Sequence, residues 1–271
     1  MFDNNYFKLN YVFLSTKFYP LNLMKILVCI SHVPDTTSKI NFTENNSKFD
    51  KNGIQFVINP NDEFGLTRAM WFKEKLGASV DVINVGLADT EPTLRKALAI
   101  GADKAIRINS DPKNGLNVAK QIAHIVSSES YDLIIGGRES IDYNGGMVPG
   151  MIAGLTDYNF VDKCISLEIN NDSITAAREI EGGKQIIESK LPIVIAGQKG
   201  LVEESDLRIP NMRGIMQART KPLNIIEISN NKTLAESINF EQPNEKGACK
   251  LVSADNVAEL VSLLQSEAKV I

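Results

Sequence analysis

From Met24 onward, short apolar runs alternate with segments whose apolar positions recur at helical spacing. The runs Ile26–Ile30, Val80–Val85, Ala105–Ile108, Leu133–Gly136 and Ile193–Ala196 predict strands, and their near-continuous apolar character suits strands buried on both faces. Between them the spacing predicts helices over Asp62–Leu76, Pro92–Ile100, Leu116–Ser127 and Met147–Leu155, with Gly77 and Gly101 as C-terminal stops. Strand and helix in this alternation predict an α/β chain with a mostly parallel sheet covered by helices on both sides. Two hairpins interrupt the pattern. Turn-rich Asn45-Asn46 and Lys51-Asn52-Gly53 flank extended segments between the first strand and first helix. Further on, alternating residues on either side of Gly182-Gly183 predict a second hairpin, which feeds the apolar run after Pro192. The chain closes with the polar stretch Glu241–Lys246, read as a linker or arm. After it comes a helix capped by Ser253, with Val257, Leu260, Val261 and Leu264 on one face.

The first 23 residues stand apart from this pattern, with Phe2, Tyr6, Phe7, Tyr11, Phe13, Phe18 and Tyr19 scattered among Asn and Lys. A secretory signal needs an apolar stretch of roughly 7–15 residues and a small-residue cleavage site. Lys8, Asn10 and Lys17 interrupt any such run. No secretory signal is therefore expected in residues 1–23.

Composition narrows the class. With 271 residues, 43% of them hydrophobic, the chain can bury a substantial core. A net charge of −4 lacks the basic field that general nucleic-acid binding requires. Cys29, Cys164 and Cys249 are odd in number and widely separated, which supports neither a disulfide framework nor a zinc site and makes the cytoplasm the expected compartment.

The polar residues form no catalytic constellation. His32 and His124, the two histidines, occupy no metal spacing and adjoin no evident nucleophile. His124 falls within a predicted amphipathic helix, whereas His32 lies near a strand end and draws more attention. Neither a Gly-x-x-x-x-Gly-Lys-Ser/Thr phosphate loop nor a Gly-x-Gly-x-x-Gly fingerprint is present. What converges is a ligand-binding edge, because in open α/β sheets ligands sit beyond the carboxyl ends of the strands at the switch point. Three segments qualify: Cys29 to Asp35, Val85 to Ala88, and Gly136 to Gly150. In the last, Asp142 and Asn144 offer polar contacts, and Gly145-Gly146 lead into a helix whose first amides can hold a phosphate. On the residues alone, a nucleotide loop and a flexible Gly-rich turn fit equally.

A resemblance to a known family decides between them. Arg178, then Glu181-Gly182-Gly183, Gln185, an aliphatic and Pro192 before an aliphatic run resemble the signature of electron transfer flavoprotein β subunits, with Ala176 standing where the family usually has Val. The resemblance runs in order from Met24 nearly to Ile271, which implies that Met24 is the natural start and residues 1–23 an added extension, with a partner-binding arm as the alternative. It takes in Lys25–Ile30 with Val33 and Asp35, the Ile58-Asn59-Pro60 turn, Ala97–Asp103, Ser140-Ile141-Asp142 and Pro210–Ala218.

The resemblance implies a three-layer Rossmann-like fold, similar to the adenine nucleotide alpha hydrolase type, with an added hairpin and a C-terminal arm. The domain would span 24–238, and residues 239–271 would form an arm and helix against an α subunit. It implies an electron carrier that transforms no substrate. The β subunit would share a FAD with the α subunit, and Val33–Thr36 and Asn61 would lie toward the flavin. AMP, or a second FAD as in electron-bifurcating relatives that use a nicotinamide, would be held by Cys29, Asn59, Pro60, Asn61, Asp62 and Val85. The same ligand would meet the loop of Glu139, Ser140, Ile141, Asp142, Tyr143, Asn144, Gly145, Gly146, Met147, Val148, Pro149 and Gly150. Many relatives carry Gln-Thr-Gly in that loop; its absence here would leave the phosphate to backbone amides, with Tyr143 placed to cover an adenine. Ile209, Pro210, Met212, Arg213, Ile215 and Met216 would dock acyl-CoA or other flavin dehydrogenases, and a quinone oxidoreductase or another acceptor would take the electrons onward. A stand-alone adenine-nucleotide-binding protein or hydrolase on the same fold is the alternative.

Overall fold

The computed structural model describes residues 23–170, 172–227, 234–244 and 247–271. The expected extension lies outside the described residues save for Leu23, as does part of the expected linker, at 245–246. The chain divides into two compact units, one taking the residues up to Lys39 together with Lys51–Ser237, the other Ile40–Asp50 with Ile238–Ile271.

The larger unit is built on a nine-stranded sheet. Its strands in chain order are β1 (Lys25–Cys29), β6 (Ser79–Val85), β7 (Lys104–Ile108), β8 (Leu133–Gly137), β9 (Asn159–Asn170), β10 (Ser173–Ile180), β11 (Gly183–Lys190), β12 (Ile193–Gly197) and β13 (Leu223–Ile226). A two-stranded ribbon of β2 (His32–Pro34) and β5 (Phe56–Ile58) stands beside it. In space the sheet runs β11-β10-β9-β12-β8-β1-β6-β7-β13, with every neighbour pair parallel except β9–β10 and β10–β11. Successive residues of β1 serve opposite faces. Ile26, Val28 and Ile30 join a core with Phe64, Leu66, Met70, Leu94 and Leu98, while Leu27 and Cys29 join Ile122, Ile125, Val126 and Ile152. Helices α1 (Pro60–Leu76) and α2 (Glu91–Ile100) thus cover one face, and α3 (Gly115–Glu129) and α4 (Val148–Thr156) the other. This is the three-layer, mostly parallel arrangement expected, and each fully buried aliphatic side chain in it contributes about 1.5–3 kcal/mol.

Local chemistry sets the element ends. Pro60 opens α1, where its missing N–H costs nothing, and Gly77 closes it in the left-handed conformation. The β10–β11 hairpin turns through Glu181 and Gly182, with Ile180 paired to Gly183. Gly182 alone of the glycine pair takes positive φ, +78°.

Three features were not foreseen. The longest strand, β9, buries Val161, Cys164 and Leu167. Strand β13 closes the far edge beside β7, and a short helix, α5 (Met212–Ala218), precedes it.

The smaller unit holds the hairpin β3 (Phe42–Thr43) and β4 (Lys48–Phe49), which is the expected added hairpin. Phe240 stacks on Phe42 at 5.0 Å, and its N–H donates to the Asn46 carbonyl at 2.8 Å. Gln242 Nε2 donates to the Ile40 carbonyl at 2.8 Å, so the segment after Ser237 lies along the hairpin. Helix α6 (Val257–Leu263) is capped by Asn256, whose Oδ1 accepts from Glu259 N, and not by Ser253. Asn256 stands immediately before the first helical residue, the position from which a side chain reaches the N3 amide; Ser253 is three residues too early.

Candidate functional site

The carboxyl ends of β8, β1 and β6 lie side by side, and the chain order reverses between β1 and β8. Asn59, Asp62 and the segment after Gly137 meet at this switch point. Asn59 is fully buried in the turn before α1, and its N–H donates to the Ser31 carbonyl at 3.0 Å. Its side chain then brackets the loop after β8: Nδ2 donates to the Glu139 carbonyl at 2.9 Å, and Oδ1 accepts from Ile141 N at 3.2 Å. Asn61 Nδ2 donates to the same Glu139 carbonyl at 3.1 Å. Pro60 makes the turn rigid by fixing its own φ.

Asp62 faces inward. Its Oδ2 accepts from Ser31 N and its Oδ1 from Gly137 N, both at 2.7 Å, tying the chain just beyond β1 to the end of β8. Burial pushes its carboxyl up to about 6, against the hydrogen bonds from Ser31, Asn59 and Gly137, which favour the ionised form. Gly137 permits this approach: a Cβ there would stand 2.3 Å from Asp62 Oδ1, 2.8 Å from Asn61 Cβ and 2.9 Å from Asn59 Nδ2.

Beyond Gly137 the loop rises from the sheet. Ser140 N donates to the Gly145 carbonyl at 3.2 Å, and Asp142 Oδ1 accepts from Tyr143 N at 2.9 Å and from the Ser140 hydroxyl. Asn144 sits at φ +50°, a left-handed position that Asn tolerates better than most residues. Tyr143 is 67% exposed and Met147 51%. Gly146 lies near the Arg138 carbonyl. Helix α4 then begins with no side-chain cap at Met147, and Pro149 in its first turn carries no N–H. The Val148 and Gly150 amides therefore begin a helix end that the Met147 side chain does not cap. Pro149 and Cys29 crowd Gly136 from one side: a Cβ there would stand 3.2 Å from Pro149 Cγ and 3.7 Å from Cys29 Cβ. Burial, with Asp62 adding to it, pushes the Cys29 thiol far up, which leaves it a protonated packing group. Val85 is buried at the end of β6, paired with Ile108.

The structure thus gathers Cys29, Asn59–Asp62 and Glu139–Gly150 at one edge, with Val85 ending the strand next to β1. It also gives roles to residues for which the sequence alone offers none. Ser31 completes the Asp62 clamp. Asn84 Nδ2 donates to the Ile30 carbonyl at 2.8 Å and holds the chain beyond β1; an Asn inside the apolar run Val80–Val85 was the available signal. Arg138 N donates to the Gly197 carbonyl at 2.7 Å, and its guanidinium reaches Gln198 Oε1 and Glu139 Oε1, both at 3.1 Å. His32 stacks on Phe56 at 4.3 Å, with Nδ1 2.8 Å from Thr93 Oγ1. Burial lowers its pKa, with Asp89 opposing and Lys51 adding to that shift. His124 is exposed on α3. Among the described residues no group of His, Cys, Asp or Glu is arranged to hold a metal ion, and no helix is long and apolar enough to cross a membrane.

The second candidate segment lies on and before α5. Asn211 caps this helix, its Oδ1 accepting from Gly214 N at 2.7 Å. Ile209 is 84% exposed, Met212 74%, Met216 67% and Ile215 42%, with Arg213 exposed beside them and Pro210 half-buried.

Fold and switch point define an open, mostly parallel α/β protein of the Rossmann-like class. A family model described as the electron transfer flavoprotein domain matches residues 47–231. A Bacillus subtilis protein described as electron transfer flavoprotein subunit beta is 34% identical over 262 residues, covering 92% of this chain and 100% of the relative. Proteins of the same description from Bradyrhizobium diazoefficiens and Dictyostelium discoideum are each 30% identical, over 92% and 87% of this chain and 100% and 96% of the relatives. The chain belongs to the electron transfer flavoprotein β-subunit family, whose members are electron-carrying flavoprotein subunits that pair with an α subunit.

Proposed function

We propose that this chain is the β half of a heterodimeric electron transfer flavoprotein, shuttling electrons from flavin dehydrogenases to a quinone-linked or other acceptor in the cytoplasm. On this reading it covers one side of a FAD held mainly by the α subunit and keeps AMP at the switch point of its own sheet. The observation that carries the reading is the convergence of Asn59, Asp62 and the loop Glu139–Gly150 on adjacent strand ends, beside a helix start without a side-chain cap.

The donor set suits a nucleotide. The Val148 and Gly150 amides at the start of α4 offer phosphate contacts of the kind helix N-termini make. Tyr143, exposed on the loop, supplies a ring that can lie over an adenine. Asn59 and Asn61 act one step removed, fixing the Glu139 carbonyl and the Ile141 amide so that the loop keeps its shape. FAD supplies the redox chemistry when bound, and the protein's share is position and electrostatics. Ile209, Met212, Ile215 and Met216, with Arg213, form the surface offered to dehydrogenases, since methionine repacks against differing partners. A second FAD in place of AMP remains the bifurcating alternative, and the Tyr143–Gly150 departure from Gln-Thr-Gly is the feature that favours weighing it.

Co-expression with an electron transfer flavoprotein α subunit tests the assignment. A yellow, stoichiometric complex is expected; a monomer that hydrolyses adenine nucleotides would overturn it.

A further inference from the structure

Helix α5 has little apolar burial of its own: of its seven residues only Ala218 is buried. Hydrophobic packing therefore does little to fix the direction in which Met212, Ile215 and Met216 point. Polar lacing to α2 does so instead. Lys221 Nζ donates to the Leu98 carbonyl at 2.9 Å and the Ala102 carbonyl at 2.6 Å, capping the C-terminal end of α2, where unpaired carbonyls favour a cation. In return, Arg95 of α2 sends Nη1 to the Ala218 carbonyl at 2.8 Å and the Lys221 carbonyl at 2.9 Å, holding the end of α5 and the chain that leaves it. Each segment thus carries the cation that satisfies the other's backbone.

The helices also approach closely at one point. A Cβ on Gly214 would stand 2.3 Å from the Ala99 carbonyl oxygen, a backbone atom that cannot swing aside. The lead-in is tied separately to α1, by Arg208 N donating to Thr67 Oγ1 at 3.2 Å and by the Arg208–Glu74 ion pair at 2.6 Å. Burial, with Lys73 nearby, lowers the Lys221 pKa against the pull of Asp103, so the ammonium is held there at a cost.

We infer that Gly214, Arg95 and Lys221 are positioning residues for partner docking, fixing the pitch and height at which α5 presents its exposed methionines to a dehydrogenase. The inference rests on the docking reading above. A pre-set surface avoids the ordering cost that a loose segment meets on binding. Displacing α5 therefore weakens encounter with the partner and leaves flavin chemistry inside the complex untouched.

The test uses the α/β complex with its FAD, and an acyl-CoA dehydrogenase reduced by its own substrate as electron donor. Gly214→Ala and Lys221→Met are expected to raise KM for the dehydrogenase about tenfold while kcat, FAD content and direct reduction by dithionite hold, the signature of lost binding alone. Lys221→Arg, which keeps a cation on the Leu98 and Ala102 carbonyls, is expected to restore most of the loss. Melting curves for all variants exclude misfolding, and Lys221→Met stands in if Gly214→Ala does not fold. Met212→Ala separates the two layers of the argument. If it raises KM while Gly214→Ala and Lys221→Met stay within about twofold of the parent, docking stands and the positioning role is wrong. If none of the three changes KM, the docking reading fails and takes the inference with it.

Discussion

Asp62 accepts the backbone N–H of Gly137 at 2.7 Å across 75 residues of chain, and through this bond the first turn of α1 holds the end of β8. The second carboxylate oxygen holds Ser31 in the same way. One buried side chain thus fixes both walls of the switch point.

This clamp carries a pH signature. Burial raises the Asp62 carboxyl from 3.8 to about 6, so between those values the folded protein binds a proton that the unfolded chain does not. Stability from this group therefore falls as pH rises through about 4 to 6 and is flat above. Thermal melts of the parent and Asp62→Asn across that window are expected to differ in slope by this component. At pH 7 the Asn variant also turns an amide NH2 toward one of the two N–H donors, which costs about 1–3 kcal/mol. Parallel pH profiles for the two proteins would refute the assignment.

Gly137→Ala places a methyl against Asp62, Asn61 and Asn59 together. Overpacking of this kind costs about 1–3 kcal/mol. The larger effect expected is on the loop, because the three residues displaced are those that shape it. Adenine nucleotide should be lost from the purified α/β complex while interfacial flavin stays. Full retention of both would show that the clamp does not govern the ligand edge.

The cysteines give a prediction independent of any ligand. Burial pushes Cys29 far up and Cys164 to about 11, whereas Cys249 is exposed. Alkylation of the native chain with iodoacetamide near neutral pH should label Cys249 alone, and denaturation should add the other two. Early labelling of Cys29, read by peptide mass spectrometry, would contradict its burial in the core beside Gly136.

The five core strands were legible as short, near-continuous apolar runs, and the first four helices as longer segments between them, two of them closed by Gly77 and Gly101. Strand β9 was not. Its buried positions Val161, Cys164 and Leu167 fall three apart, a spacing that imitates a helix. The cause is local: Lys163 takes φ +48°, and the pairing register slips against β12 and again against β10, so alternation restarts twice within one strand. Helix α5 escaped notice because it is held by Lys221, Arg95 and a close approach at Gly214, none of which leaves a periodic mark. At the switch point, Asn59, Asp62 and the Gly-rich loop could be singled out by residue type and resemblance. Their roles could not, because the partners are backbone groups of Ser31, Gly137, Glu139 and Ile141 that only the folded sheet brings near.

The central claim, a β subunit with its own nucleotide beside a shared flavin, meets its most direct test in the ligand content of the assembled complex. The α/β heterodimer is denatured, the released nucleotides are separated, and flavin and adenosine monophosphate are counted per heterodimer. One FAD and one AMP is the predicted result. Two FAD and no AMP would point to the bifurcating alternative, and no nucleotide beyond the interfacial FAD would contradict the proposed site at the ends of β8, β1 and β6.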